Sequence, residues 1–158
     1  MKKAVIIYST TDGQTKNICA KLLEHSQKKS SIDLFSINEI KKIDLQIYEK
    51  IILGASIRYG KHNSKVFDFV KNHRHILDKK ETAFFTVNVV ARKKEKNTPE
   101  TNPYMKKFLE LSSWKPKKLG VFAGKIDYPK YKFFDKHMIR LIMWITNGPT
   151  DINESFEF

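Results

Sequence analysis

Apolar residues fall along the chain in short blocks of alternating period. Ala4–Tyr8 is a compact β-branched and aromatic run, which predicts a buried strand. Ser9–Thr15 is a polar turn, and from Thr15 to about Gln27 the residues Ile18, Leu22 and Leu23 recur at helical spacing with Cys19 beside them. Ile32–Ile37 alternates as a second strand, and Ile51–Gly54 is a short apolar run for a buried third. Val66, Phe69 and Val70 open another helical face that Ile76 and Leu77 continue. Thr82–Val87 predicts a fourth strand, and Val121–Ala123 lies in a fifth. Strands alternating with helices predict a parallel sheet covered on both faces.

Two segments break the alternation. Arg92–Pro103 is polar, basic and interrupted by Pro99 and Pro103, which predicts a long loop; such loops are commonly functional or disordered. Asp127–Gly148 is an insertion rich in aromatic, basic and long apolar residues. No repeat or linker divides the chain, so residues 1–158 are expected to form one domain, as 158 residues suggest against a prior of ~150 per domain. Cys19 is the only cysteine, which excludes an internal disulfide framework and fits a reducing, cytoplasmic compartment. The first apolar run is too short for a signal-peptide core, and no stretch approaches the ~20 apolar residues of a membrane span.

The net charge of +13 favours polyanions, anionic membranes or acidic small molecules. Part of that excess fits a chain rich in Lys, Ile and Asn together, a composition that can follow base content. The concentration of charge between Arg92 and Arg140 is less well explained that way.

Three segments follow predicted strands and therefore converge on the carboxyl edge of the sheet, where open α/β sheets bind ligands. The first is Ser9, Thr10, Thr11, Asp12, Gly13, Gln14 and Thr15. Hydroxyls and free amides at a helix start suit an anion, and Gly13 admits a close phosphate. A plain helix cap explains the same residues equally well. The segment is neither a Lys-containing P-loop nor a dinucleotide-binding turn. The second segment is Gly54-Ala55-Ser56-Ile57-Arg58-Tyr59-Gly60, and the third Thr86-Val87-Asn88-Val89-Val90-Ala91.

The first loop resembles the phosphate loop of flavodoxins, with Thr10, Thr11, Gly13, Gln14 and Thr15 in matching places. Flavodoxins usually carry a hydroxyl residue at the position of Asp12. Ser-Thr-x-Asp-Gly-Gln-Thr, Gly-Ala-Ser-Ile-Arg-Tyr-Gly, Val-Asn-x-Val-Ala-Arg-Lys and Leu-Ile-Met are more narrowly similar to the quinone-dependent protoporphyrinogen oxidases of bacterial haem synthesis, whose pattern includes Asp12. That resemblance runs from about Val5 to Asp151.

It implies a flavodoxin-like three-layer α/β/α sandwich with five parallel strands in the order 2-1-3-4-5. It also implies FMN held by Ser9–Thr15, Ser56–Gly60 and Val87–Ala91. The implied reaction is oxidation of protoporphyrinogen IX, in three two-electron rounds, with a quinone (menaquinone or ubiquinone) as acceptor. Tyr59 would stack on the flavin, and Arg58 would pair with a substrate carboxylate. Arg92, Lys93 and Lys94 are further candidates for a dicarboxylate substrate; a solvated basic loop is the plain alternative. No residue is required as a general base. The family continues past a final strand into a closing helix. Here Ser155–Phe158 would be that strand, so the helix is expected to be absent and apolar surface beside strand one to be exposed.

Within the insertion, Lys132, Lys136 and Arg140 form one helical stripe beside an apolar face of Tyr131, Phe134, Met138, Leu141, Ile142 and Ile145, with Trp144 near its end. Such a helix suits the plane of an anionic membrane, and the resemblance, with its lipid-soluble quinone, implies a place on the cytoplasmic face of the inner membrane. A helix packed on the sheet gives the same pattern. His73 and His75 are two apart on a helix and do not share a face. They read as surface histidines, Cys19 reads as core, and no metal site is expected. Two further readings stand open. A soluble flavodoxin-type electron carrier or quinone reductase-like flavoprotein fits the loops, although carriers are commonly acidic. A basic nucleic-acid-binding module has the charge but no recognised reading motif, so nucleic acid is not expected. The oligomeric state is not legible.

Overall fold

A computed structural model describes residues 3–10, 14–26, 31–123 and 136–146. The order is β1 (Lys3–Ser9), α1 (Gln14–Ser26), β2 (Ser31–Ser36), β3 (Lys50–Arg58), β4 (Lys61–His62), α2 (Ser64–Leu77), β5 (Glu81–Asn88), α3 (Pro103–Ser112), β6 (Lys118–Ala123) and α4 (Lys136–Thr146). The sheet runs β2-β1-β3-β5-β6, all parallel, and β4 is an antiparallel spur on β3. Counted without the spur, the strands stand in the expected order 2-1-3-4-5.

The period of two in each strand sorts its side chains onto the two faces. Val5 and Ile7 of β1, Ile51 and Leu53 of β3, Phe84 of β5 and Val121 of β6 meet Val66, Phe69 and Val70 of α2, Met105 and Phe108 of α3, and Trp114. Ala4, Ile6, Ile52, Phe85 and Phe122 face the other way, onto Ile18, Cys19 and Leu22 of α1 and Met138, Leu141, Ile142 and Ile145 of α4. Each fully buried large side chain of these two layers is worth about 1.5–3 kcal/mol relative to exposure.

Four expectations change. First, β3 does not stop at Gly54. It pairs with β1 through Ala55 and with β5 through Ser56, and β4 holds Ile57 and Arg58. Gly54 is a strand residue whose missing Cβ makes room for a neighbour: a methyl there would lie 2.2 Å from Phe85 Cζ.

Second, the segment read as a loop to Pro103 contains 3₁₀ turns at Val89–Arg92 and Lys94–Lys96 and ends in the unanticipated α3. Asn102 caps α3, accepting from Tyr104 N and Met105 N, and Pro103 occupies its first turn.

Third, the apolar face of the inserted helix is not offered to a membrane. Met138, Leu141, Ile142 and Ile145 are all buried against the sheet and α1. Trp144 is half-buried on the same cluster. Arg140 is exposed. Lys132 and the side chain of Lys136 lie outside the described residues, as do Tyr131 and Phe134.

Fourth, the apolar surface expected to be bare beside strand one is covered, since Ala4 and Ile6 are buried beneath the layer containing α1 and α4. Lys50, fully buried at the start of β3, secures this arrangement. Its Nζ donates to Trp144 O and, at 3.2 Å, to Ile145 O, the carbonyls at the end of α4, and stands 5.0 Å from the Trp144 ring centroid. A cation at a helix C-terminus meets both the exposed carbonyls and the negative end of the dipole.

Candidate active site at the carboxyl edge of the sheet

Parallel strands end together, so β1, β3 and β5 deliver their following residues to one edge. Ser9 is buried at the end of β1 and pairs in register with Ala55; Thr10 follows it. Thr11, Asp12 and Gly13 lie outside the described residues, as does the side chain of Gln14. Thr15, in the first turn of α1, is buried, and its Oγ1 finds no hydrogen-bond partner among the described residues. A buried hydroxyl without a partner is costly. Beside the unsatisfied amides of a helix start it suits an anionic oxygen. The orphaned Oγ1 of Thr15 therefore fits the phosphate of a flavin mononucleotide.

The second segment ends in a strained corner. Tyr59 has φ 54 and Gly60 φ 77, so the turn between β3 and β4 uses two consecutive left-handed residues. A tyrosine there is uncommon. Its ring is 86% exposed, and the Arg58 guanidinium lies 5.1 Å from the ring centroid. A large aromatic side chain held away from the core at a binding edge is available to stack on a planar ligand.

In the third segment, Val87 belongs to the core on the α1 face and Ala91 to the core on the opposite face, while Val89 is exposed. Asn88 is the organising residue. Its Oδ1 accepts from Ala91 N at 3.1 Å and from Asn102 Nδ2 at 3.0 Å, and its Nδ2 donates to Asn102 Oδ1 at 3.1 Å. Both asparagines are buried, so this reciprocal amide pair fixes the loop's start against α3. Asn88 thus shapes the loop from within. Arg92, Lys93 and Lys94 are exposed on the adjoining 3₁₀ turns.

His62 belongs to no sequence motif. It is buried at the β4 spur, edge-on to Phe67, Phe84 and Phe108, with Nε2 2.9 Å from Thr86 Oγ1. Asn88 Nδ2 reaches the same hydroxyl at 3.3 Å. Burial pushes the imidazole down to about 4, so the ring is neutral at physiological pH. A chain of contacts His62–Thr86–Asn88–Asn102 therefore ties the Tyr59 corner to the third loop and to α3. Its only sequence signal is position, since His62 lies two residues past Gly60. Cys19 is buried and its thiol is pushed upward by desolvation, as a core residue should be. No cluster of metal-binding side chains occurs among the described residues.

A cleft of about 490 Å³ opens from this edge. Ser9 and Ser56 lie at the sheet, the Arg58–His62 hairpin forms one wall, and Tyr104, Lys107, Phe108 and Leu111 of α3 form another.

Comparison with known proteins agrees with this geometry. The family model described as "Flavodoxin domain" matches residues 5–153. An archaeal flavodoxin is similar in structure at a TM-score of 0.60 and 16% identity, covering 96% of this chain and 99% of that one. A Fusobacterium nucleatum flavodoxin solved with flavin mononucleotide has a TM-score of 0.53 at 14% identity, over 96% and 99% of the two chains. Those identities speak to the fold alone. In sequence, the chain is 45% identical to a protoporphyrinogen IX dehydrogenase (quinone) of Leishmania major, spanning 94% of this chain and 65% of that protein. It is 41% identical to the Escherichia coli K12 protein of the same name, over 94% of this chain and 83% of the relative. The chain accordingly belongs to the flavodoxin-domain family, in the group of the quinone-type protoporphyrinogen IX dehydrogenases.

Proposed function

We propose that the protein binds FMN at the carboxyl edge of its sheet and oxidises protoporphyrinogen IX to protoporphyrin IX, with a quinone as electron acceptor. The orphaned, buried hydroxyl of Thr15 supports this most directly, because it sits where a helix start and a strand end would meet a phosphate. The relatives' activity supplies the substrate and the acceptor. When bound, FMN supplies the two-electron redox chemistry, since the chain's single cysteine, Cys19, lies buried in the core. The residues' work is to bind and orient. Thr15 and the α1 amides hold the phosphate, Tyr59 stacks on the ring system, and the Asn88–Asn102 pair keeps the third loop in shape. Ser9–Gln14, Ser56–Gly60 and Val87–Ala91 complete the cradle, and Arg58 with Arg92, Lys93 and Lys94 supplies positive charge toward an acidic substrate.

Contact with an anionic membrane surface, through which quinone is reached at the cytoplasmic face, rests in this reading on charge. The net charge is +13 and Arg140 is exposed, while the apolar face of α4 is committed to the core. No helix among the described residues is long and apolar enough to cross a membrane.

The test is a titration of the purified protein with FMN, read by flavin fluorescence, beside Thr15→Val. This substitution keeps the volume and removes the hydroxyl, so affinity should fall by about tenfold or more, the worth of one hydrogen bond to a charged group. Undiminished FMN affinity in Thr15→Val would overturn the phosphate site. Absence of FMN binding by the parent would overturn the whole reading.

A further inference from the structure

The cleft beside α3 has a composition that its place in the fold does not require. Arg58, Lys61 and Lys107 line it, and no Asp or Glu does. All three cations are exposed, and among the described residues no ion pair holds Lys61 or Lys107. Between them lies an apolar wall of half-buried Phe67 and Tyr104 and of Leu111, 61% exposed, backed by the fully buried Phe108. An exposed leucine on the wall of a cleft of about 490 Å³ leaves apolar area for a ligand to cover. A small phosphate would leave that wall wet, and a neutral apolar ligand would leave three cations unanswered. Charge and apolar area together suit a large, mainly apolar molecule carrying more than one anionic group.

We propose that this cleft is the seat of the acidic tetrapyrrole macrocycle, with Lys61 and Lys107 as its carboxylate anchors and Phe67, Tyr104 and Leu111 against its rings. The inference rests on the function proposed above and deepens it. It moves the specificity for the dicarboxylate away from Arg92, Lys93 and Lys94, none of which lines the cleft. Arg58 is the one basic residue common to both. The cleft reaches Ser9 and Ser56 at the strand ends, so a macrocycle seated there lies next to the flavin edge rather than across the molecule from it. The two lysines come from different elements, β4 and α3. The His62–Thr86–Asn88–Asn102 chain of contacts sets the spacing of those elements and hence of the two charges.

The experiment uses the FMN-loaded protein and the stable product, protoporphyrin IX, with its dimethyl ester in the same detergent, each titrated by porphyrin fluorescence. Lys61→Glu with Lys107→Glu should weaken binding of the acid by tenfold or more while ester binding changes less than about twofold, since charge-assisted contacts are lost and the apolar wall is kept. With protoporphyrinogen IX the same pair should raise KM rather than lower kcat. Both sites are exposed, and unchanged FMN affinity and melting temperature establish that the fold and flavin site survive. A double variant that binds the acid as tightly as the parent overturns the proposal. So does acid binding that responds instead to Arg92→Gln, Lys93→Gln and Lys94→Gln. The two readings fail separately: a parent without FMN binding sinks the flavin reading, whereas FMN binding with lysine-independent porphyrin binding sinks only this one.

Discussion

His62 offers the sharpest quantitative test of the packing at the active edge. Its ring is 6% exposed, surrounded by Phe67, Phe84 and Phe108, and burial carries it from an ordinary 6.5 down to about 4. The folded protein therefore binds this proton more weakly than the unfolded chain does. The resulting stability is fully present above 6.5 and is lost as pH falls from there toward 4. At about 1.4 kcal/mol per decade, moving from pH 8 to pH 5 withdraws about 2 kcal/mol through this residue alone. For a chain of this size that corresponds to a fall in melting temperature of about 4–8 °C. His62→Gln stays neutral at every pH and keeps a polar end for Thr86. Its absolute stability will change because ring packing is lost, so the informative quantity is the difference between pH 8 and pH 5. Thermal melts followed by far-ultraviolet circular dichroism should show the parent losing about 4–8 °C more than the variant over that interval. Every other titrating group is common to both proteins. Equal pH-induced losses in the two would refute a buried, neutral His62.

The remaining expectations concern α4. Lys50→Met keeps the aliphatic stem but leaves the last carbonyls of α4 without their donor, so it should cost about 1–3 kcal/mol in a urea melt. An unchanged midpoint would dissociate Lys50 from the helix end. Ile142→Ser should lower the melting temperature substantially, because large-to-small changes at a buried aliphatic site cost about 2–5 kcal/mol. Arg140→Glu should leave the melt within about 0.5 kcal/mol of the parent while weakening any salt-sensitive co-sedimentation with anionic vesicles. Loss of vesicle binding by Ile142→Ser with no loss of stability would reverse the assignment of that face.

How much of this could be read from residues alone depends on the range of the interactions involved. That the sheet is parallel and covered on both faces followed from buried runs alternating with helical faces, whereas its strand order came from the resemblance to flavodoxins. The three loops at the carboxyl edge followed from the same argument. The boundaries of β3 did not, because Ser56, Ile57 and Arg58 are strand residues only by virtue of partners in β5 and β4. The helix α3 had a local signal in Asn102-Pro103 followed by Met105 and Phe108, but the prolines obscured it. The face of α4 was ambiguous in principle: a stripe of Met138, Leu141, Ile142 and Ile145 serves a membrane or a sheet equally, and only tertiary placement chooses. Lys61 and Lys107 carried no pattern at all, and His62 only its place just past Gly60. They matter because elements distant in sequence bring them to one cleft.

The amide pair between Asn88 and Asn102 has a further consequence for motion. The two residues are 14 apart in sequence, and each also binds backbone. Asn88 holds Ala91 N, while Asn102 holds Tyr104 N, Met105 N and Lys96 O. The basic turns between them are thus a closed clasp whose middle and both ends share two side chains. Neither the first turn of α3 nor the turn after β5 can open without breaking contacts that belong to the other. In native-state hydrogen exchange the amides of Ala91 and Met105 should therefore report one opening free energy, as a single cooperative unit. A ligand that tightened the clasp at its β5 end would slow exchange at the start of α3, several residues beyond anything it touched.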